Sequence, residues 1–273
     1  MKAIVPEVLR RVYLEIGENE QEYFLKSQLR YTYVLMQLVN SGVPDQSQIL
    51  LDIGSHWMHM TMAASLLGFN CYGLDLSYFA RDDMLVKRAM EYGIKLGCFD
   101  LSDHRIPFEN HSFATILFSE VLEHLAFSPM PALAEIRRVL KPGGILLLTT
   151  PNVFSSGNRL RMLLGHKNIY TNLEHFLEGP CFSIHWREYT MSEVQRLLRL
   201  SGFKVMASRY FDANLNTKGL VRAFVKRRIY TIITLLFPRL RNCMFFLARK
   251  PETEKMNTTD HAETMPLGAK SGA

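Results

Sequence analysis

Three acids stand at the ends of apolar runs, and their order along the chain is the first sign of chemistry. Asp52 lies near the end of Ile49–Ile53 and is followed by Gly54; Asp75 comes 23 residues later, and Asp100 follows Ile94–Phe99. Ser119-Glu120-Val121 closes a further apolar run that begins at Ala114. In an open α/β sheet, ligands bind outside the carboxyl ends of the strands, and an acid ending the second strand can accept both hydroxyls of a ribose. Gly54, lacking a Cβ, lets the backbone pass close to such a ligand. Asp100 can accept an exocyclic amino group, and Ser119 with Glu120 can line the ligand with main chain. Each has a plainer reading. Asp75 can cap a helix beside Ser77, Asp100 can hydrate a turn, and Glu123 suits the positive end of a helix.

His124, His175 and His185 are the imidazoles placed to act as a base near neutral pH. His185 opens His185-Trp186-Arg187-Glu188-Tyr189-Thr190. There His185 and Arg187 can equally anchor a loop, and His124 can equally cap a helix. No His, Cys or Asp run has metal-ligand spacing, so no metal is expected. Neither a nucleophile elbow nor a phosphate-binding glycine loop is present. The lack of Gly-x-Gly-x-x-Gly after the first strand argues against a nicotinamide enzyme.

The elements that must position these groups follow from periodicity. Phe24, Tyr31, Leu35 and Leu38 give an amphipathic helix over about Asn19–Asn40, ended by Ser41-Gly42-Val43-Pro44. Strands are expected at Ile49–Ile53, Asn70–Leu76, Ile94–Phe99, Ala114–Ser119, Ile145–Thr149, Phe203–Tyr210 and Cys243–Ala248. Helices are expected at His56–Leu67, Tyr78–Tyr92, Ala132–Leu140 and Met191–Ser201. Thr190 and Glu193 form a capping-box pattern before the last helix. Alternating strands and helices imply a doubly wound, mostly parallel sheet.

The sequence has 273 residues, 48% hydrophobic and 21% charged, enough to bury a large core in one domain. Residues 1–250 read as that domain, with an N-terminal helical cap over 1–44, a substrate-side insertion over 151–187 and a basic apolar insertion over 213–241. The polar remainder, 251–273, is expected to be disordered. Of four scattered cysteines, three fall in apolar or strand-like surroundings and read as buried free thiols, which implies a reducing, cytoplasmic setting. The N-terminus lacks a signal-peptide core, and no run is long enough to span a bilayer. The formal charge of +6 is local: nine bases and no acid lie between Ala213 and Pro251, and the other 23 bases face 26 acids. That distribution gives no support to nucleic-acid binding. Within Leu220–Phe237, Arg222, Lys226, Arg227 and Arg228 alternate with Phe224, Val225, Ile229, Ile232, Ile233, Leu235 and Leu236. Such a helix can rest in an anionic membrane interface or pack on its own domain.

Five motifs in order, Leu51-Asp52-Ile53-Gly54, Gly73-Leu74-Asp75-Leu76, Pro107–Phe113, Glu120-Val121-Leu122-Glu123-His124-Leu125 and Arg138-Val139-Leu140-Lys141-Pro142-Gly143-Gly144, resemble the class I S-adenosylmethionine-dependent methyltransferases. The branch most similar contains the ubiquinone and menaquinone biosynthesis enzymes. The resemblance covers about 45–210, and the Cys243–Ala248 run fits its final strand. It implies a seven-stranded Rossmann-like sheet with an antiparallel last strand. It also implies S-adenosylmethionine as cofactor, with Asp52, Gly54 and His56 near the methionine part. Asp75 and Leu76 would meet the ribose, Asp100 and Leu101 the adenine, and Ser119 and Glu120 the sulfonium side. His56 and Met58 stand where the family loop has its second and third glycines; negative φ would let both side chains be accommodated. Ala114 replaces the family's usual Asp after Phe113.

The function implied is methylation, at oxygen, of a small-molecule, sugar or lipid-linked acceptor, with His185 or His124 as the base. The N-terminal helix and residues 151–187 would choose the acceptor. The alternative is a non-catalytic module that kept the fold but lost turnover with its loop glycines.

Overall fold

The computed structural model describes residues 4–42, 48–103, 105–165, 183–213 and 230–252, with Leu177, Pro180 and Arg228. Two N-terminal helices, α1 (Val5–Glu15) and α2 (Glu18–Ser41), come first. Then β1 (Ile49–Ile53), α3 (His59–Leu66), β2 (Asn70–Asp75), α4 (Ser77–Ala80), α5 (Asp83–Glu91) and β3 (Lys95–Cys98) alternate. β4 (Phe113–Ser119), α6 (Pro129–Val139), β5 (Leu140–Pro151) and α7 (Ser156–Leu163) follow, then α8 (Met191–Leu200), β6 (Lys204–Phe211) and β7 (Cys243–Arg249). The seven strands pair in the order β3-β2-β1-β4-β5-β7-β6. β1 to β5 run parallel, while β7 pairs antiparallel with both β5 and β6. The expected doubly wound sheet with an antiparallel last strand is the fold observed.

Central strands bury both faces, which is why they read as continuous apolar runs. One core, on the α1–α2–α3–α5 side, gathers Val12, Phe24, Leu35, Met58, Met62 and Phe245; the other gathers Leu51, Phe118, Leu133, Ile136, Leu198 and Phe246. α8 begins with the capping box foreseen: the Thr190 hydroxyl accepts from the Glu193 N–H and the Glu193 carboxylate accepts from the Thr190 N–H.

Two helices differ from expectation. The helix read as His56–Leu67 starts at His59, because His56 and Met58 both adopt positive φ, 49° and 60°. The helix read as Tyr78–Tyr92 is two helices. Asp82 leaves helical geometry and its side chain accepts the Leu85 N–H, starting α5 afresh. β5 begins at Leu140, earlier than Ile145, so Lys141-Pro142-Gly143-Gly144 lies within the strand. The segment before α2 is itself a helix, α1, opened by Pro6 in its first turn.

Cys71 and Cys243 are buried free thiols, whereas Cys98, at the end of edge strand β3, is exposed. Cys181, most of the basic segment between 214 and 229, and the tail from 253 lie outside the described residues. Residues 230–236 are helical. No described helix is long and apolar enough to cross a membrane.

Candidate functional site

A cleft of about 980 Å³ lies over the carboxyl ends of the strands, at the upper end of the size usual for ligand pockets. Its floor runs across the sheet: Asp100 and Leu101 after β3, Asp75 and Leu76 after β2, Asp52 to His56 after β1, and Ser119 and Glu120 after β4. Every cofactor residue expected from the sequence therefore lines one cavity. His124 and His185 line it too, at the β4 end.

Gly54 is the tightest point. Its φ is +76°, and a Cβ there would sit 2.4 Å from Val121 Cγ2. Only glycine fits this crossing between the β1 loop and the segment after β4. The bare backbone leaves the cleft floor open where a ligand must approach.

The loop that follows explains the two replaced glycines. His56 and Met58 keep the left-handed backbone glycine would take, at a cost of about 1–3 kcal/mol each. The expectation of negative φ is therefore corrected. The side chains are accommodated by direction instead. Met58 is fully buried in the core and does not line the cleft. His56 does line it, in a cage of rings with centroids 5.1 Å away for Tyr23, 4.7 Å for Trp57 and 4.6 Å for Phe79. Burial, with the charges of His59 and Arg30, brings the His56 imidazole down to about 4, so it is neutral at pH 7.

Asp75 is held by the backbone. Its Oδ2 accepts the His56 N–H at 2.6 Å and its Oδ1 accepts the Leu76 N–H at 2.8 Å. Both oxygens keep a further lone pair for hydroxyl donors. Burial raises the carboxyl despite these two bonds. Asp52 is deeper: Thr61 donates to its Oδ2 at 2.6 Å, and burial pushes it up to about 7. Asp100 is exposed, and its Oδ1 accepts the Ser102 N–H at 2.8 Å, which is the turn role weighed above, beside the cleft rather than instead of it. Phe99, Leu101 and Phe127 add apolar surface at this end.

At the other end Ser119 Oγ lies 2.7 Å from Thr149 Oγ1. Glu120, at φ 57°, spends its N–H on the Thr149 carbonyl and faces Arg30 at 3.4 Å. Glu123 is completely buried, in a 3-10 turn rather than an α-helix. Thr150 donates to its Oε2 at 3.0 Å, while Oε1 is buried without a hydrogen-bond partner. Burial and the neighbouring Glu120 drive its carboxyl well above the ordinary range. His124 Nδ1 bonds the Ile184 carbonyl at 3.0 Å and His185 Nδ1 bonds Glu188 Oε1 at 3.2 Å. Burial and His185 bring His124 down to about 4. Arg187 reaches Glu193 and lies over the Tyr189 ring, anchoring its loop. His175 lies outside the described residues.

The fourth wall comes from α2, which supplies Tyr23, Ser27, Arg30 and Tyr31. This helix is locked down by a buried network. Arg88 grips Glu20 at 2.7 and 2.8 Å and the Trp57 carbonyl at 3.0 Å, and His59 Nε2 meets Glu20 Oε2 at 2.8 Å. Tyr31 completes it, its hydroxyl 3.4 Å from His59 Nδ1. Burial alone would raise Glu20; its bonds to His59 and Arg88 outweigh that and hold it near 2, so the pair is an anion facing a cation. These residues were missed in the sequence. The signal was there: Glu20 and Ser27 fall on the same buried stripe as Phe24, Tyr31 and Leu38.

Residues 51–148 match the family model described as Methyltransferase domain. With the strand order and the cleft, this match supports a class I methyltransferase domain with S-adenosylmethionine as its cofactor; Gly54, Asp75 and the open cleft floor fit that group. An uncharacterized Methanocaldococcus jannaschii protein, MJ1252, is 28% identical over 131 residues, 44% of this chain and 51% of that protein. The match thus spans about half the length of that curated relative. Among solved structures, a Haloferax volcanii chain in complex with the Trm112 methyltransferase activator superposes with TM-score 0.57 at 15% identity, over 92% of this chain and 97% of that one. A Haemonchus contortus phosphoethanolamine N-methyltransferase 2, in complex with S-adenosyl-L-methionine, gives TM-score 0.52 at 19% identity, over 80% and 52%. At such identities the likeness is one of fold.

Proposed function

We propose that this chain transfers a methyl group from S-adenosylmethionine to an oxygen of a small-molecule, sugar or lipid-linked acceptor. The observation that carries the reading is the single cleft that collects Asp52, Gly54, Asp75, Asp100 and Ser119 from four successive strand ends. Bound there, the cofactor supplies a methyl already activated by its sulfonium. The residues then do three things. Asp75 receives ribose hydroxyls on lone pairs left by its two backbone bonds. Gly54 keeps the floor low enough for the methionine part. The α2 wall and the 183–188 loop hold an acceptor in line, and positioning supplies much of the rate. His124 is the base best placed: with Nδ1 donating to the Ile184 carbonyl, its Nε2 carries the lone pair. His185, braced by Glu188, stands beside it with ring centroids 4.8 Å apart.

Isothermal calorimetry with S-adenosylmethionine and its demethylated product tests the binding half. Uptake of labelled methyl by a panel of hydroxylated metabolites and glycolipids tests the transfer. If neither cofactor form binds, the reading fails and the non-catalytic module, motivated by the left-handed His56 and Met58, takes its place.

The lipid-linked acceptor has its own support. Ile232, Ile233, Leu235, Leu236 and Phe237 are exposed beside Arg239, and Leu160, Leu163 and Leu164 are exposed on and beside α7. Apolar tips among cations suit the interface of an anionic bilayer. Peripheral attachment predicts co-sedimentation with phosphatidylserine liposomes that salt reverses; no binding at low salt refutes it.

A further inference from the structure

The groups beyond β4 form a cluster larger than a single general base. One carboxylate oxygen of Glu123 and one ring nitrogen each of His124 and His185 lie within 4.8 Å of one another. From this geometry we infer that Glu123, His124 and His185 bind one divalent first-row transition ion, of the Mn²⁺, Co²⁺ or Zn²⁺ kind.

Four features point the same way. Glu123 Oε1 is a buried acceptor with no hydrogen bond, although the rest of its side chain is fixed by Thr150. A buried oxygen left so is costly, and a cation answers it. Second, the tautomers suit ligation. In the neutral rings Nδ1–H of His124 donates to the Ile184 carbonyl and Nδ1–H of His185 donates to Glu188, which puts each lone pair on Nε2. A carbonyl or carboxylate behind each ring is the arrangement that orients metal-ligating histidines. Third, the two segments are stitched together independently of any ion. The N–H groups of Trp186 and Arg187 reach the Glu123 carbonyl at 2.8 and 3.4 Å, and Asn158 holds Glu188 at 3.1 Å. Fourth, the charge is suitable. Glu120, the next carboxylate, already faces Arg30, so Glu123 is the carboxyl left to exchange its proton for an ion. Two imidazoles and one carboxylate select borderline transition ions over Mg²⁺ or Ca²⁺, which favour all-oxygen sets. Metal–ligand distances of about 2.0–2.2 Å ask only for a modest closing of these side chains.

The sequence hid this site because Glu123 and His124 lie some sixty positions from His185. Only the docking of the 183–188 loop brings them together. The site occupies the β4 end of the cleft, away from Asp75 and Asp100. There the ion would take the acceptor's oxygen and the Nε2 lone pair of His124 would hold the ion instead of accepting a proton, a role that rests on the methyl-transfer reading; the binding itself does not.

The test uses the full chain after treatment with a chelator, without S-adenosylmethionine. Co²⁺ is titrated and followed by its visible absorption bands, with Zn²⁺ followed by calorimetry. One ion per chain is expected. Glu123→Gln and His185→Ala should each weaken binding by at least about tenfold. Glu188→Gln, which touches no ion, should weaken it by about tenfold through the orientation of His185. His111→Asn, outside the cleft, should leave it unchanged. Each variant is first checked for cooperative thermal unfolding like the parent's. His185 is partly exposed, so its truncation keeps the test open should a Glu123 variant fail to fold. Absence of saturable Co²⁺ and Zn²⁺ binding, or binding unaffected by His185→Ala and Glu188→Gln, overturns the inference. Cofactor calorimetry on the same metal-free chain separates the two proposals. Cofactor binding without Co²⁺ binding removes the metal site alone; Co²⁺ binding without cofactor binding removes methyl transfer alone.

Discussion

Replacing Glu20 by Gln should cost far more stability than the loss of one charge on a helix surface. Glu20 is 1% exposed and has Arg88 and His59 as its partners, with Arg88 itself 7% exposed. Its carboxyl is held near 2 against an ordinary 4.5, a difference of 2.5 units, or about 3 kcal/mol at 1.36 kcal/mol per unit. The variant also strands a buried guanidinium, and breaking one partner of such a pair costs about 3–5 kcal/mol. We therefore expect Glu20→Gln to lower unfolding free energy in urea by about 3–5 kcal/mol. The pH dependence supplies an independent check. The native value is depressed, so this stabilisation is complete above the unfolded value of 4.5 and disappears as pH falls toward 2. Parent minus variant should thus shrink across that window and stay flat from pH 5 to 7. A loss below about 1 kcal/mol at pH 7, or a difference indifferent to pH between 4.5 and 2, would refute the claim that this network holds α2 to the sheet.

Further outcomes concern the cleft. Gly54→Ala should destabilise by about 2–4 kcal/mol, combining left-handed strain with the Val121 clash; adding Val121→Ala should recover only the clash, as read by paired melting curves. Asp75→Asn should weaken cofactor binding by about 10–100-fold, the scale of hydrogen bonds to a charged group, and calorimetry showing an unchanged Kd would remove Asp75 from the ribose. His56→Gly should bind cofactor no more weakly than the parent, because its N–H to Asp75 remains and the ring is engaged with Tyr23, Trp57 and Phe79; a tenfold weakening would show that the imidazole itself meets the cofactor. Asp52, raised to about 7 from 3.8, favours the fold fully below pH 3.8 and loses that contribution as pH climbs through 7; Asp52→Asn should flatten stability over this range in urea titrations.

The sheet was legible because strands buried on both faces leave unbroken apolar runs, and because Gly and Pro punctuate between them. The cofactor side of the cleft was legible for the same reason: Asp52, Asp75 and Asp100 are chained to strand ends, so local sequence fixes their place. What sequence did not give is whatever depends on distant segments meeting. Glu20 and Arg88 are 68 positions apart, and their pairing overrides the rule that buried helix faces are apolar. The conformation of His56 and Met58 was misjudged because side-chain size was weighed before backbone. The loop kept the path glycines would take, and the bulk was turned into the core and an aromatic cage. The break at Arg81-Asp82 was missed because Tyr78–Tyr92 reads as one helical run up to Gly93, whereas the Asp82 side chain restarts the helix.

The pairing of Phe211 with Cys243 at the sheet's edge has a consequence for how such a protein can diversify. The Ala213 N–H binds Asn242 Oδ1 and the Asn152 N–H binds the Asn242 carbonyl, so the chain on either side of this interval is clasped at Asn242. Ala213, Asn242 and Cys243 open on the cleft. Closing a loop costs little more as it lengthens, on the order of 0.6 kcal/mol per doubling. The number of residues between Ala213 and Asn242 can therefore vary at little closure cost while the strands beneath keep their register.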